Sequence, residues 1–268
     1  MLDLFNIPTP QTANYQEFYG SATSNGSQFT WIKPRGASMV RFLLIGAGGA
    51  GGNGSSSAGG AGGESGVVTS WIGPAMFVPD SLVVVAYGNA TSGNAGDSAI
   101  YYYSSNRTSG NILLQALGGT SGGSGNAVAM TANQFTACGI FNSVNGQAGT
   151  AGSSTGAGTN RSASATTFLS GGAGGAGSAA GTGGSVTPNY GYTALPATTA
   201  GGTVAGANGY FITQPILVGT GGAGGTTSTS VGTAGGRGGI GCGGGGGGED
   251  ALTGGGRGGG GAVFIWAW

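Results

Sequence analysis

Within the glycine-rich stretches of this chain, the residues that are not glycine return at every third position. In Gly46–Gly54 (GAGGAGGNG) they are Ala47, Ala50 and Asn53, and in Ala58–Glu64 (AGGAGGE) they are Ala58, Ala61 and Glu64. Ala173 and Ala176 repeat the spacing in Gly171–Gly177, and Arg237 and Ile240 repeat it near the end. A Gly-Gly-X period of three fits an extended left-handed helix of the polyproline II type, with three residues per turn, about 3.1 Å rise and no internal hydrogen bonds. The open N–H and C=O groups of such a segment must find partners elsewhere. A buried segment therefore needs others of its kind alongside, and glycine at two of every three positions lets them approach on several sides. The runs are short and interrupted, which predicts a bundle of short segments folded back by loops rather than a long rod.

Ordering a backbone costs roughly 1–2 kcal/mol per residue, and glycine loses the most freedom while packing no side chain. Glycine supplies 67 of the 268 residues, so apolar strands must hold these runs at their ends. The sequence is laid out that way: MVRFLLI precedes the first run and AVFIWAW follows the last. FTWI and MVRFLLI read as a strand pair around the turn KPRG, with Pro34 and Gly36 in turn positions. GVVTSWI and SLVVVAY read as a second pair around GPAMFVPD. SAIYYYSS and NILLQAL read as a third around NRTSG, and FTACGIF, GYFITQPILV and AVFIWAW add further strands. No window keeps a 3.6-residue apolar period, so almost no helix is expected. The expected fold is all-β: short strands forming a small sandwich that clamps a bundle of polyglycine II helices. Residues 29–268 form that domain, and residues 1–28 read as an N-terminal arm, an attachment segment or a frayed end.

Function classes fall away on composition. Only 5% of residues are charged, seven basic against seven acidic, so no basic patch is available for nucleic acid. No apolar run approaches the ~20 residues of a membrane span, and MLDLFNIPTP lacks the regions of a secretory signal. At 38% hydrophobic residues and zero net charge, the chain does not have the composition of a disordered one. Zero net charge favours association, which suggests assembly or display on a larger particle. Cys138 and Cys242 match no metal-ligand spacing and leave one disulfide open. There is no histidine, the commonest transition-metal ligand and general base. A phosphate loop needs a lysine after its glycines, and the sole lysine, Lys33, stands before Pro34. Serines lack a base and a nucleophile elbow. Asp97 reads as a turn cap, and Glu249–Asp250 as loop solvation rather than a glycosidase pair. No enzyme, metal or cofactor is expected.

Aromatic clusters point instead to binding. Tyr101, Tyr102 and Tyr103 alternate along a strand and read as strand aromatics. Tyr190 and Tyr192 (PNYGYT) lie in a loop-like setting, where aromatics supply rigid contact area at low entropic cost. They read equally as exposed loop residues and as part of a binding surface.

FTWIKPRGASMVRFLLIGAGGAGG resembles the opening of the glycine-rich domain at the tips of bacteriophage tail fibres: a Trp-x-x-Pro-x-Gly turn, a strand, then a glycine run. GESGVVTSWI, SLVVVAYGNA and GDSAIYYY look like its following segments, and GGRGGGGAVFIWAW is similar to its closing run and strand. The resemblance covers roughly residues 29–268. It implies a receptor-binding adhesin that sandwiches polyglycine II helices and contacts host surface molecules, a polysaccharide or an outer-membrane protein, through variable loops. By that resemblance the loops would be Asn89–Gly96, Gly125–Ser170 and Ser185–Asn208, with Asn142, Asn160, Arg161, Asn189, Tyr190 and Tyr192 as candidate receptor contacts. The chain lacks a fibre shaft, so the N-terminal arm would join it to other virion proteins at the virion surface, and a trimer or a monomeric cap would fit. The rival reading is structural: a virion decoration, a cell-wall protein or an ice-binding bundle. Asn-x-Ser/Thr sites at Asn25, Asn53, Asn89, Asn106 and Asn160 would suit a glycosylated wall protein, though a chain rich in Ser and Thr supplies such sites by chance.

Overall fold

The computed structural model describes residues 14–20, 26–88, 95–101, 111–122, 126–163, 168–177, 181–188, 192–196, 205–213, 217–227, 231–250 and 254–268. The chain is all-β, with several antiparallel sheets and no α-helix among the described residues. Single 3-10 turns occur at Ala75–Phe77 and Thr136–Cys138.

Two sheets face each other. The first holds β1 (Asn14–Tyr19), β3 (Met39–Ile45), β4 (Val68–Pro74), β8 (Ile140–Val144) and β13 (Ala262–Ala267), in the order β1-β13-β3-β4-β8. The second holds β2 (Ser27–Ile32), β5 (Ser81–Ala86), β6 (Ser98–Tyr101) and β7 (Ile112–Ala116), in the order β2-β5-β6-β7. Side chains alternate across a strand, so β3 sends Val40, Phe42 and Leu44 into the core between the sheets, where they meet Trp31, Leu82, Val84, Ile100 and Leu114. Its other face, Leu43 and Ile45, joins Phe264, Leu169 and Cys242 in a second cluster. β13, and β3 apart from its exposed Arg41, are thus buried on both faces, which is why they read as apolar runs rather than alternating ones.

Strands β2 to β7 and β13 are where the sequence put them, but two pairings differ. β2 pairs with β5 (Thr30↔Val83) and β3 with β4 (Leu43↔Ser70). KPRG and GPAMFVPD therefore carry the chain from one sheet to the other instead of closing hairpins. The cause is the core: Trp31 and Phe42 pack edge to face with centroids 5.8 Å apart, and that contact needs their strands on opposite layers. The third pair, β6 with β7, is a hairpin in register Ser98↔Ala116. FTACGIF supplies a 3-10 turn and then β8. GYFITQPILV supplies two short strands, β11 (Phe211–Ile212) and β12 (Val218–Gly219), paired antiparallel. Within the expected arm, Asn14–Tyr19 is an edge strand of the first sheet, paired from Asn14↔Ala267 to Tyr19↔Ala262, and Ser27 already begins β2. Tyr102 and Tyr103 lie outside the described residues.

The glycine runs extend from the strand ends and bond to one another through the main chain. Run 241–249 lies in the middle. Its N–H groups donate to three neighbours: Gly243, Gly246 and Glu249 to the carbonyls of Ser170, Ala173 and Ala176; Gly244 and Gly247 to Gly49 and Gly52; Gly245 and Gly248 to Gly236 and Thr233. Its carbonyls accept from three more: Gly243 and Gly246 from Gly222 and Gly225; Gly244 and Gly247 from Gly63 and Gly60; Cys242 and Gly245 from Gly259 and Gly256. These bonds span 2.7–3.3 Å. With six segments around it, the run has no open side. A Cβ on Gly243, Gly244 or Gly245 would fall 1.9–2.0 Å from a carbonyl oxygen of Gly63, Gly256 or Ala223. Hence GGGGGG here, whereas outer runs carry a side chain on their open side: Arg237 and Arg257 are exposed.

Candidate binding groove

Residues 205–210 form an outer segment beside run 231–239. Gly206 donates to Ala234 O at 2.9 Å and Gly209 to Arg237 O at 2.6 Å, and the Arg237 N–H donates to Asn208 Oδ1 at 2.9 Å. Where this segment passes into β11, an open groove of ≈ 390 Å³ lies between it and the last glycine run. Tyr210 and Phe211 line one wall, Arg237 and Ile240 the floor, and Gly259 and Gly260 the other wall. The Tyr210 hydroxyl donates to Thr193 O at 2.9 Å. Burial, with the neighbouring Tyr192 adding to it, raises its pKa, so at neutral pH this phenol is a donor.

The sequence candidates fall unevenly around this groove. Tyr192 is half-buried beside Tyr210. Leu195 exchanges two backbone bonds with Val186 of β10 (Val186–Thr187), and β10 pairs in parallel with β9 (Arg161–Ser162), Val186 against Arg161. Asn160 is exposed, but its Oδ1 is taken by the Ser185 N–H at 2.9 Å. Arg161 is half-buried, burial lowers its pKa, and its Nε is buried without a hydrogen-bond partner. Asn160, Arg161 and Tyr192 therefore share one side of the molecule, joined through β10 and Tyr210. Asn142 is exposed on β8 opposite Ser70 and belongs to the five-stranded sheet instead. Asn189 and Tyr190 lie outside the described residues.

Stretch 125–170 is not a free loop. It holds β8 and β9, and Gly146, Gly149 and Gly152 each lie so close to a neighbouring segment that a Cβ would sit 2.0–2.1 Å from the carbonyl oxygen of Ser65, Gly62 or Gly59. The segment also bonds the run 171–175 (Thr150 N–H to Gly172 O, 3.1 Å), but Ala148 and Ala151 keep side chains, so one glycine per triplet suffices. That lone-glycine period in GQAGTAG is the signal by which the sequence could have revealed it.

Other side chains that chemistry might recruit have structural partners. Asp97 accepts from Gln115 Nε2 at 2.7 Å and from the Gly118 N–H at 2.8 Å. Glu64, a third-position residue of its glycine run, is fully buried, and its Oε2 accepts from the Thr120 N–H at 2.8 Å and its hydroxyl at 2.7 Å. Both cysteines are free. Among the described residues no group of three His, Cys, Asp or Glu is placed to hold a metal ion, and no helix is long and apolar enough to cross a membrane.

Compared with known protein families and with curated proteins, the chain matches none. What it does must be argued from the groove, the bundle and the sandwich.

Proposed function

We propose that this chain is a non-enzymatic receptor-binding adhesin, carried at a fibre tip or spike on a virion surface. Its glycine runs would form a bundle of polyglycine II helices held by the β-sandwich. The observation that carries the reading is run 241–249, bonded through its main chain to six neighbours. A scaffold bonded this way needs no side chains for its own cohesion, so the outward third positions and the connecting loops are left to face a partner. The polar and aromatic side chains at its rim (Asn160, Arg161, Tyr192, Asn208, Tyr210 and Arg237) suit a polysaccharide or outer-membrane protein of the host, recognised by hydrogen bonds and ring contacts. Residues before β1 would attach the domain to other virion proteins, as a trimer or a single cap. An ice-binding bundle is less well supported, because its outer run would present a regular face, and here that run carries Val231, Ala234, Arg237 and Ile240 in succession. Immunogold microscopy with antibody to this chain tests the proposal: labelling at fibre or spike ends, with antibody blocking adsorption to cells, is expected. Labelling confined to a cell wall, or adsorption unaffected by saturating antibody, would overturn it.

A further inference from the structure

Arg237 lines the groove, and Arg257 stands on the glycine run bonded beside it. Arg237 and Arg257 occupy exposed third positions on adjacent glycine runs. The Gly238 N–H donates to the Arg257 carbonyl at 2.9 Å and the Gly235 N–H to the Gly254 carbonyl at 3.4 Å, so the two runs are parallel and nearly level. Both guanidinium stems therefore leave the surface at almost the same height. Among the described residues neither makes an ion pair, while the part-buried Lys33 pairs with the exposed Asp80 at 2.9 Å. In a chain with seven basic residues in all, two unneutralised guanidinium groups side by side are a local excess of positive charge, and arginine is the residue suited to planar recognition of carboxylate and phosphate.

The groove supplies the rest of a site. Its ≈ 390 Å³ falls within the range of small-molecule sites. Tyr210 and Phe211 offer ring surface along one wall. Ile240 continues the apolar floor next to Arg237. The Asn208 carboxamide oxygen is fixed by the Arg237 N–H, which leaves its NH2 group as a donor at the rim. Gly259 and Gly260 put no side chain on the facing wall, so that side stays open to a ring.

We propose that this groove binds an acidic sugar, with its carboxylate or phosphate against Arg237 and Arg257 and its ring against Tyr210, Phe211 and Ile240. The assignment rests on the adhesin reading and names its ligand class. Isothermal titration of the purified full-length chain tests it with three probes: oligogalacturonate, glucose 6-phosphate and neutral maltooligosaccharide. At low salt at least one acidic probe is expected to bind at least tenfold tighter than the neutral one, and to weaken as ionic strength rises, because exposed charges are screened over about 8 Å at physiological salt. Carboxylate and phosphate sources are separated by which acidic probe wins. Arg237→Gln with Arg257→Gln should abolish that preference with an unchanged melting temperature, since both side chains are exposed, and Arg35→Gln should leave it intact. Equal binding of acidic and neutral probes, binding of none, or a preference that survives the double substitution would overturn the proposal. The adhesin reading fails by a different result, adsorption unaffected by saturating antibody, whereas a double variant that still adsorbs to cells like the wild type removes the groove assignment and leaves the adhesin standing.

Discussion

Replacing Gly246 by alanine is a direct test of the glycine-packed centre. A Cβ there would sit 1.9 Å from Gly60 O and 2.9 Å from Gly175 N, both main-chain atoms that cannot rotate away. Opening the first contact to 3.0 Å, the shortest that real Cβ atoms show, moves the two segments apart by 3.0 − 1.9 = 1.1 Å. The bonds that join these two segments are Gly60 N–H to Gly247 O and Gly63 N–H to Gly244 O, both at 2.7 Å. A shift of that size breaks both bonds in a run that six segments enclose on every side. Two buried bonds left unmade cost about 2–6 kcal/mol, at about 1–3 kcal/mol for each unsatisfied site. The lower entropy of the unfolded alanine chain offsets about 0.4–1 kcal/mol, so a net loss of about 1–5.6 kcal/mol is expected, against a total stability of about 5–15 kcal/mol for native proteins. Gly254→Ala is the matched comparison, because its Cβ would meet nothing nearer than Asn53 Oδ1 at 3.9 Å. Urea and thermal unfolding of both variants provide the readout. Gly246→Ala should melt well below the wild type, at about 2–4 °C per kcal/mol for a chain of this size, and Gly254→Ala at or slightly above it. Equal melting of the two would refute the argument, since a linker would tolerate either.

Glu64→Ala should destabilise the fold by about 1–3 kcal/mol by taking the acceptor from the part-buried Thr120 N–H and hydroxyl, measured by urea unfolding, with Glu64→Gln losing less. On the outer face of the first sheet, Glu17 accepts from Tyr19 at 2.6 Å and also bonds Tyr15. Burial first, then Glu17, pushes the Tyr19 phenol up to about 12 and raises Tyr15 as well. A folded pKa above the unfolded one contributes stability that is present below pH 10 and lost as pH climbs from 10 to 12. Glu17, lowered by its bonds to Tyr15 and Tyr19, contributes in the opposite sense, through stability lost as pH falls below the ordinary carboxylate range. Melting temperature against pH should therefore fall above pH 10 in the wild type and flatten there in the Tyr15→Phe/Tyr19→Phe variant. Burial pushes the Cys242 thiol up to about 12, partly countered by a backbone bond from Ser170. At pH 8 a thiol reagent should thus modify Cys138 alone in the folded chain and both cysteines after unfolding, and rapid labelling of both in the native state would contradict the packing.

What the sequence discloses follows from which interactions carry it. β3, β5 and β13 are legible because burial on both faces demands runs such as MVRFLLI and AVFIWAW. Their partners are not, because pairing is decided by contacts such as Trp31 on Phe42, which join residues no local pattern links. The period of three is legible because a side chain on a packed face would strike a carbonyl within 2 Å. Its direction is not: Arg237 points outward and Glu64 inward from equivalent places in their triplets. β1 escaped notice because its only hydrogen-bonded neighbour in the sheet is β13, the far end of the chain, where Tyr15 stacks on Trp266 at 5.0 Å and Arg41 lies over the same indole at 5.0 Å. Of the residues around the groove, Tyr192 was reachable from its loop-like setting and Arg161 only through the family resemblance. Tyr210 was not, because GYFITQ reads as an ordinary strand.

The bonds of run 241–249 advance by three residues on both partners at once, as in 243, 246 and 249 against 170, 173 and 176. A segment displaced by one residue would drive a side chain into its neighbour, but one displaced by a whole triplet would meet an identical ladder. Insertions and deletions of three residues are therefore the natural unit of change in these segments. They lengthen or shorten one spoke by about 9 Å (three steps of about 3.1 Å) while every lateral contact that remains keeps its geometry. The cost is that the ladder itself cannot say where a segment should start. That choice falls to the strands at either end, and the terminal AVFIWA strand, locked between β1 and β3, sets the phase of the run before it.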